Sequence, residues 1–248
     1  MSLARQLCWS NVTAIADRLS LTEVHGAGED GAYDTLTSEM MPEPVGSVRV
    51  FHGAVSLVYV GMTVPMIGLD SHMMFAFTDP GSAVPHYTVD SVQNADAYAF
   101  HLDMIPRVDL GSHLGYMDHC YGPLTEIRAH TLARGGLTPA DLAPRQWALM
   151  SEWMLANHCD EATFRAIVPT VDAYREQWFS LLQAGIPQAL VDDVGTELLA
   201  ARDEANRAAI FDPDVDRVWA NVERLVGAQQ SEATRTLLAG AGRAAVAS

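Results

Sequence analysis

Residues 84–105 read Val84-Pro85-His86-Tyr87-Thr88-Val89-Asp90-Ser91-Val92-Gln93-Asn94-Ala95-Asp96-Ala97-Tyr98-Ala99-Phe100-His101-Leu102-Asp103-Met104-Ile105. Two runs rich in β-branched and aromatic residues, 87–92 and 98–105, flank the turn signal Asn94-Ala95-Asp96. A connection this short joins antiparallel strands, because a parallel pair needs a crossover of a dozen residues or more. Toward the N-terminus three further runs, 71–77, 55–64 and 48–51, are punctuated by Thr78-Asp79-Pro80-Gly81 and His52-Gly53. Five strands in succession, with no room for helices between them, predict an antiparallel meander.

Outside the meander the pattern changes. Leu7, Ala14, Ile15 and Leu19 have helical spacing and predict an opening helix over 3–19, followed by a Gly-rich acidic loop at 25–33. After Pro106 the chain reads as helical. One helix carries Ala148, Trp153 and Met154 and ends near His158, and amphipathic helices follow at 163–184 and 186–209. Pro213 opens a last helix, 215–226, with Val218, Val222, Leu225 and Val226 on one face; residues 229–248 are either helical or frayed. Trp147, Trp153, Trp178 and Trp219 are expected in helix cores. Strands first and helices after, with no repeat or linker, predict one α+β domain spanning 1–248.

Composition narrows the function classes. Apolar residues make up 49%, enough for a packed core. No apolar run reaches the roughly 18 residues of a membrane span, and Arg5, Asp17 and Arg18 interrupt the N-terminal stretch, so a cytoplasmic protein is expected. The net charge is −16 and all 15 basic residues are arginine, which disfavours nucleic-acid partners and points to a GC-rich coding sequence. Cys8, Cys120 and Cys159 are scattered and read as idle thiols rather than a disulfide framework. The run Asp118-His119-Cys120 matches no metal-ligand spacing, so no metal is expected. Gly26-Ala27-Gly28-Glu29-Asp30-Gly31 matches the dinucleotide-binding letters, but its two carboxylates would face a pyrophosphate, and Pro42 and Pro44 leave little room for the helix that should follow. It reads as a surface loop.

The ionisable residues concentrate in the strands: Asp70, His72, His86, Asp90, His101 and Asp103. His86, Thr88 and Asp90 alternate onto one face of a strand, where a histidine and a carboxylate could act as acid and base on one substrate. Arg107 offers a cation for a substrate carboxylate or phosphate, or a structural ion pair.

The segment 84–93, with His101-Leu102-Asp103-Met104-Ile105-Pro106-Arg107-Val108-Asp109-Leu110 and His113-Leu114-Gly115-Tyr116, resembles the central strand pair of red chlorophyll catabolite reductases and the related ferredoxin-dependent bilin reductases. Phe211-Asp212-Pro213 through Leu225-Val226-Gly227 resembles their C-terminal helix signature. The resemblance implies an α/β/α sandwich in which a central antiparallel sheet is flanked by helices. It also implies that Asp90 is the catalytic carboxylate and that a pocket-facing histidine belongs near Ser71 or His72, of which strand alternation lets only one line the pocket. Asp90, His86 and His72 are thus the expected catalytic residues, and Ser71, Thr88, His101 and Arg107 the expected substrate contacts.

Two chemistries follow from that resemblance. Microbial Pictet-Spengler cyclases, which are similar in fold, condense a tryptophan-type amine with an aldehyde to a β-carboline without a cofactor. The bilin reductases reduce a linear tetrapyrrole with electrons from ferredoxin. An acidic chain attracts a cationic amine and offers an acidic ferredoxin a poor docking face. The expectation is therefore a cofactor-independent cyclase acting on a small molecule, with the ferredoxin-dependent reductase as the alternative. A homodimer is possible under either.

Overall fold

In the computed structural model, which describes residues 1–241 apart from the side chains of residues 196 and 197, the two-residue turn between Asn94 and Ala97 sets the register of the central strands. Ala95 adopts φ 52° there, a left-handed conformation that tightens the turn. In chain order the elements are α1 (Leu3–Leu19), β1 (Thr22–Val24), β2 (Asp34–Leu36), β3 (Gly46–His52), β4 (Ser56–Val64), β5 (Leu69–Phe77), β6 (His86–Asn94) and β7 (Ala97–Ile105). There follow α2 (Leu114–Tyr121), α3 (Thr125–Ala133), β8 (Thr138–Pro139), α4 (Pro144–Leu149), β9 (Leu155–Cys159), α5 (Glu161–Ala166), α6 (Val168–Ala184), α7 (Gln188–Val194), α8 (Thr196–Ile210), α9 (Val218–Val226) and α10 (Ala228–Gly240). All strand pairings are antiparallel. The sheet runs β1-β3-β4-β5-β6-β7-β9-β8, with β2 also on β3, so the predicted meander is β3 to β7 in order.

Each face of the sheet has its own core, because strand alternation sorts the apolar side chains into two sets. Tyr59, Met74, Tyr87, Val89, Leu102 and Met104 pack against Leu7 and Ile15 of α1 and Tyr174 and Trp178 of α6. Val50, Val60, Met73 and Phe75 pack on the other side against Phe211, Trp219, Val222, Val226 and Leu238 from the C-terminal helices. Burying each such side chain is worth about 1.5–3 kcal/mol. Polar stitches orient the layers: Tyr87 OH donates to Asn11 Oδ1 at 3.1 Å, and Trp178 Nε1 donates to the Pro85 carbonyl at 2.9 Å. The result is a three-layer sandwich.

Several expectations change. The helix predicted through Ala148, Trp153 and Met154 stops at Leu149, and Leu155–Cys159 is a strand on the edge of β7. The cause is Asp103, whose carboxylate takes the Ser151 backbone N–H at 2.9 Å and its hydroxyl at 2.5 Å and turns the chain back toward the sheet. Trp153 therefore lies outside any helix, and Trp147 is 46% exposed rather than buried in a core. The predicted 163–184 helix divides at Ile167, just before Pro169, and the 186–209 helix divides at Gly195, where φ is 81°. Residues 228–240 are helical, and residues 242–248 of the predicted tail lie outside the described residues. The 26–31 run forms a short turn leading into β2, not a phosphate loop before a helix. Among the described residues no helix is long and apolar enough to cross a membrane.

Candidate active site

A cavity of about 270 Å³ opens between the sheet and the C-terminal helices. Its sheet side is made by Ser71, Met73 and Phe75 of β5, Asp90 and Val92 of β6, and Ala99 and His101 of β7. Its other side is made by Gln146, Met150, Phe211, Asp216, Val218 and Trp219. The aromatic wall is tightly keyed: Phe75 meets Phe211 edge-on at 5.1 Å, and Phe211 meets Trp219 at 5.9 Å.

Asp90 and His101 stand directly opposite each other in the β6–β7 register, with His101 Nδ1 donating to Asp90 Oδ2 at 3.2 Å. The Asp90 side chain keeps 30% of its exposure, while its Oδ1 and His101 Nε2 are buried without a protein hydrogen-bond partner. Such orphaned atoms in a cavity are free for a substrate or water. Burial opposes the charge on His101, but the Asp90 hydrogen bond and the charges of Asp90, Asp103 and Asp216 outweigh it and hold the imidazole above its usual 6.5. Asp216 faces this pair from the helix side. Burial, together with the charge of Asp90, lifts its carboxyl above the usual 3.8, although its Oδ1 also accepts the Val218 N–H at 3.0 Å. The site thus combines an imidazole whose protonated form is favoured with two carboxyl groups, within apolar walls.

Of the residues expected from sequence, Asp90, His101 and Ser71 bring their side chains together here, and His72 borders the cavity while its ring nitrogens bond Tyr59 and Asp70. His86 does not. It shares a strand face with Asp90 but lies four residues, roughly 13 Å, away, and its side chain is sealed in a separate polar network. Thr78 N–H donates to His86 Nδ1 at 3.0 Å, so the proton sits on Nε2, which donates to Asp203 Oδ1 at 2.7 Å. Burial drives the His86 imidazole down to about 3, so it is neutral and structural. Arg107 belongs to the same network. It is 1% exposed and spends its guanidinium on the Pro80 carbonyl at 2.7 Å, Thr78 Oγ1 at 2.9 Å and the Asp203 carboxylate at 3.7 Å. Thr88 is buried and donates to the Met74 carbonyl at 3.0 Å. None of the three lines the cavity.

Ser71 and His72 resolve as alternation requires. Ser71 faces the cavity, and the His72 ring points to the opposite side, where Nδ1 meets Tyr59 OH at 2.7 Å and Nε2 meets Asp70 Oδ1 at 3.0 Å. Asp216 was missed by the sequence reading, because an acidic residue just before a helix signals a cap and disguises any other use. His101 was legible as a polar strand residue, but its partnership with Asp90 appears only in the cross-strand register.

No protein-family model matches the chain, and no curated protein matches it in sequence. Among solved structures, a phytochromobilin synthase from tomato in complex with biliverdin superposes with a TM-score of 0.73 at 12% identity, covering 98% of this chain and 85% of that one. The fold is bilin reductase-like. A bilin reductase-like sandwich accounts for the antiparallel sheet with helices on both faces; at this identity the likeness speaks for architecture, and the chemistry rests on the side chains.

Proposed function

We propose that this chain is a cofactor-independent acid/base enzyme of the Pictet-Spengler type, which condenses an arylethylamine of the tryptophan type with an aldehyde. The observation that carries the reading is the Asp90–His101 pair with its unsatisfied Oδ1 and Nε2 on a cavity walled by Phe75, Phe211 and Trp219. The bound ammonium first gives up a proton to solvent, and the free amine then adds to the aldehyde carbonyl to give a carbinolamine. Protonated His101 gives a proton to the carbinolamine hydroxyl, which leaves as water as the iminium forms. The indole ring attacks the iminium carbon, and Asp90 takes the ring proton that restores aromaticity. One proton is given by His101 and one taken by Asp90, so the net charge of the pair is unchanged; passage of that proton from Asp90 back to His101 resets the pair, and the product is the amine plus aldehyde less one water.

A second reading, ferredoxin-dependent reduction of a linear tetrapyrrole, draws support from the likeness to phytochromobilin synthase. A linear tetrapyrrole carries two propionates, and among the described residues the cavity walls contain two carboxylates and no arginine. Those charges favour the amine.

The test is mass spectrometry of the purified protein incubated with tryptamine or tryptophan and small aldehydes, beside a parallel incubation with biliverdin, ferredoxin and a reductant. A product at amine plus aldehyde less water, formed faster than without protein and lost in Asp90→Asn, is expected. A two-hydrogen gain on the tetrapyrrole, with no condensation product, would replace the cyclase reading with the reductase.

A further inference from the structure

We infer that the cavity selects a decarboxylated arylethylamine over the parent α-amino acid, and that Asp216 is the residue that holds the ammonium group; this rests on the amine-condensation reading above. Asp90 and Asp216 approach one cavity from opposite layers, Asp90 from β6 and Asp216 from the turn before α9. They lie close enough for the Asp90 charge to act on the Asp216 carboxyl. Two carboxylates in a partly desolvated space repel each other, and a cation between them relieves that cost.

The roles divide by geometry. Asp90 Oδ2 is engaged by His101, which commits that carboxylate to the acid/base pair. Asp216 is anchored by the Val218 N–H through Oδ1, which fixes its carboxylate and leaves its other oxygen for a ligand donor. Phe211 and Trp219 line the same cavity and give it an aromatic wall suited to an aryl amine. An amino-acid carboxylate entering the same space would face Asp90 and Asp216 with only His101 as a counter-charge, and His101 is already bonded to Asp90. The substrate that fits is a free aryl-alkylamine, and its supply requires a decarboxylase acting on an aromatic amino acid.

The experiment is isothermal titration of the full chain with tryptamine, L-tryptophan and indole-3-propionate, which share the indole and differ in charge, together with condensation rates for the first two. Tryptamine is expected to bind about 10- to 100-fold more tightly than tryptophan, with indole-3-propionate weakest. Asp216→Asn keeps an oxygen for the Val218 N–H and removes the charge. It should erase most of the tryptamine advantage while leaving indole-3-propionate binding unchanged or stronger. Tryptophan binding as tightly as tryptamine, or a tryptamine advantage undiminished in a folded Asp216→Asn, would overturn the inference, as would failure of all three to bind. If Asp216→Asn does not fold, the ligand order on the unaltered chain decides. The expected binding order without any condensation product would uphold the selectivity and reject the condensation; product formed faster from tryptophan would do the reverse.

Discussion

Asp90 and His101 are one unit, and their expected behaviour differs from that of two independent groups. Removing a required base costs about 10²- to 10⁴-fold in rate, so Asp90→Asn should lose activity on that scale while remaining folded, since Asp90 Oδ1 bonds nothing in the protein and the Asn amide oxygen can still accept from His101 Nδ1. Rate against pH offers a second check. His101 is held above 6.5, and the proposed chemistry needs its protonated form. Activity should therefore fall on the alkaline side with an apparent pKa above 6.5. Asp90→Asn removes the strongest source of that upward shift and should move the limb to lower pH in whatever activity survives. An alkaline limb unmoved by the substitution would assign it to another group.

At the scale of elements, the sequence revealed the meander and hid its consequences. Strand runs and turn residues between 48 and 105 are local signals, and they predict β3 to β7 in order. The turn at Asn94 and Ala97 also contains the register: counting outward from it sets Asp90 against His101. Reading along the strand instead paired Asp90 with His86, because alternation is visible in a single run and cross-strand pairing is not. His86 is instead claimed by Asp203 of α8, a partner 117 positions away that no local pattern could supply. The same distance hid β9, whose identity as a strand is decided by the free edge of β7 and by Asp103. The His86–Asp203 network ties α8 to the sheet, and Asp203 Oδ1 also accepts from Arg207 Nε at 3.0 Å. Replacing Asp203 by Asn withdraws the negative charge from a fully buried site holding Arg107. Urea denaturation should then show a loss of about 3–5 kcal/mol. An unchanged urea midpoint would mean that the network carries no net stability.

For the whole molecule, two buried groups give folding stability opposite dependences on pH. Burial pushes the Asp103 carboxyl from 3.8 up to about 6. Its contribution is therefore complete below 3.8 and is lost as pH rises through about 6, a change of about 3 kcal/mol at roughly 1.4 kcal/mol per unit. Burial takes His86 from 6.5 down to about 3, so its contribution is complete above 6.5 and is lost as pH falls toward 3. The comparison of Asp103→Asn with the unaltered chain isolates the first effect. The substituted protein should gain about 3 kcal/mol relative to the parent between pH 3.8 and about 6, read from urea curves across that range. A constant difference would mean that Asp103 titrates alike in the folded and unfolded chains.

The two sides of the cavity are held by different kinds of bond. β5, β6 and β7 fix Asp90 and His101 through continuous backbone ladders that are indifferent to side-chain identity, whereas Phe211 and Trp219 are placed against the sheet by side-chain packing, and Val218 follows from the short turn that Asp216 caps. Reactivity and appetite are thereby separately heritable. Substitutions at exposed Val218 or half-buried Met150 can remodel the cavity without displacing Asp90 and His101, so descendants of one such chain can change what they admit while keeping that pair in place.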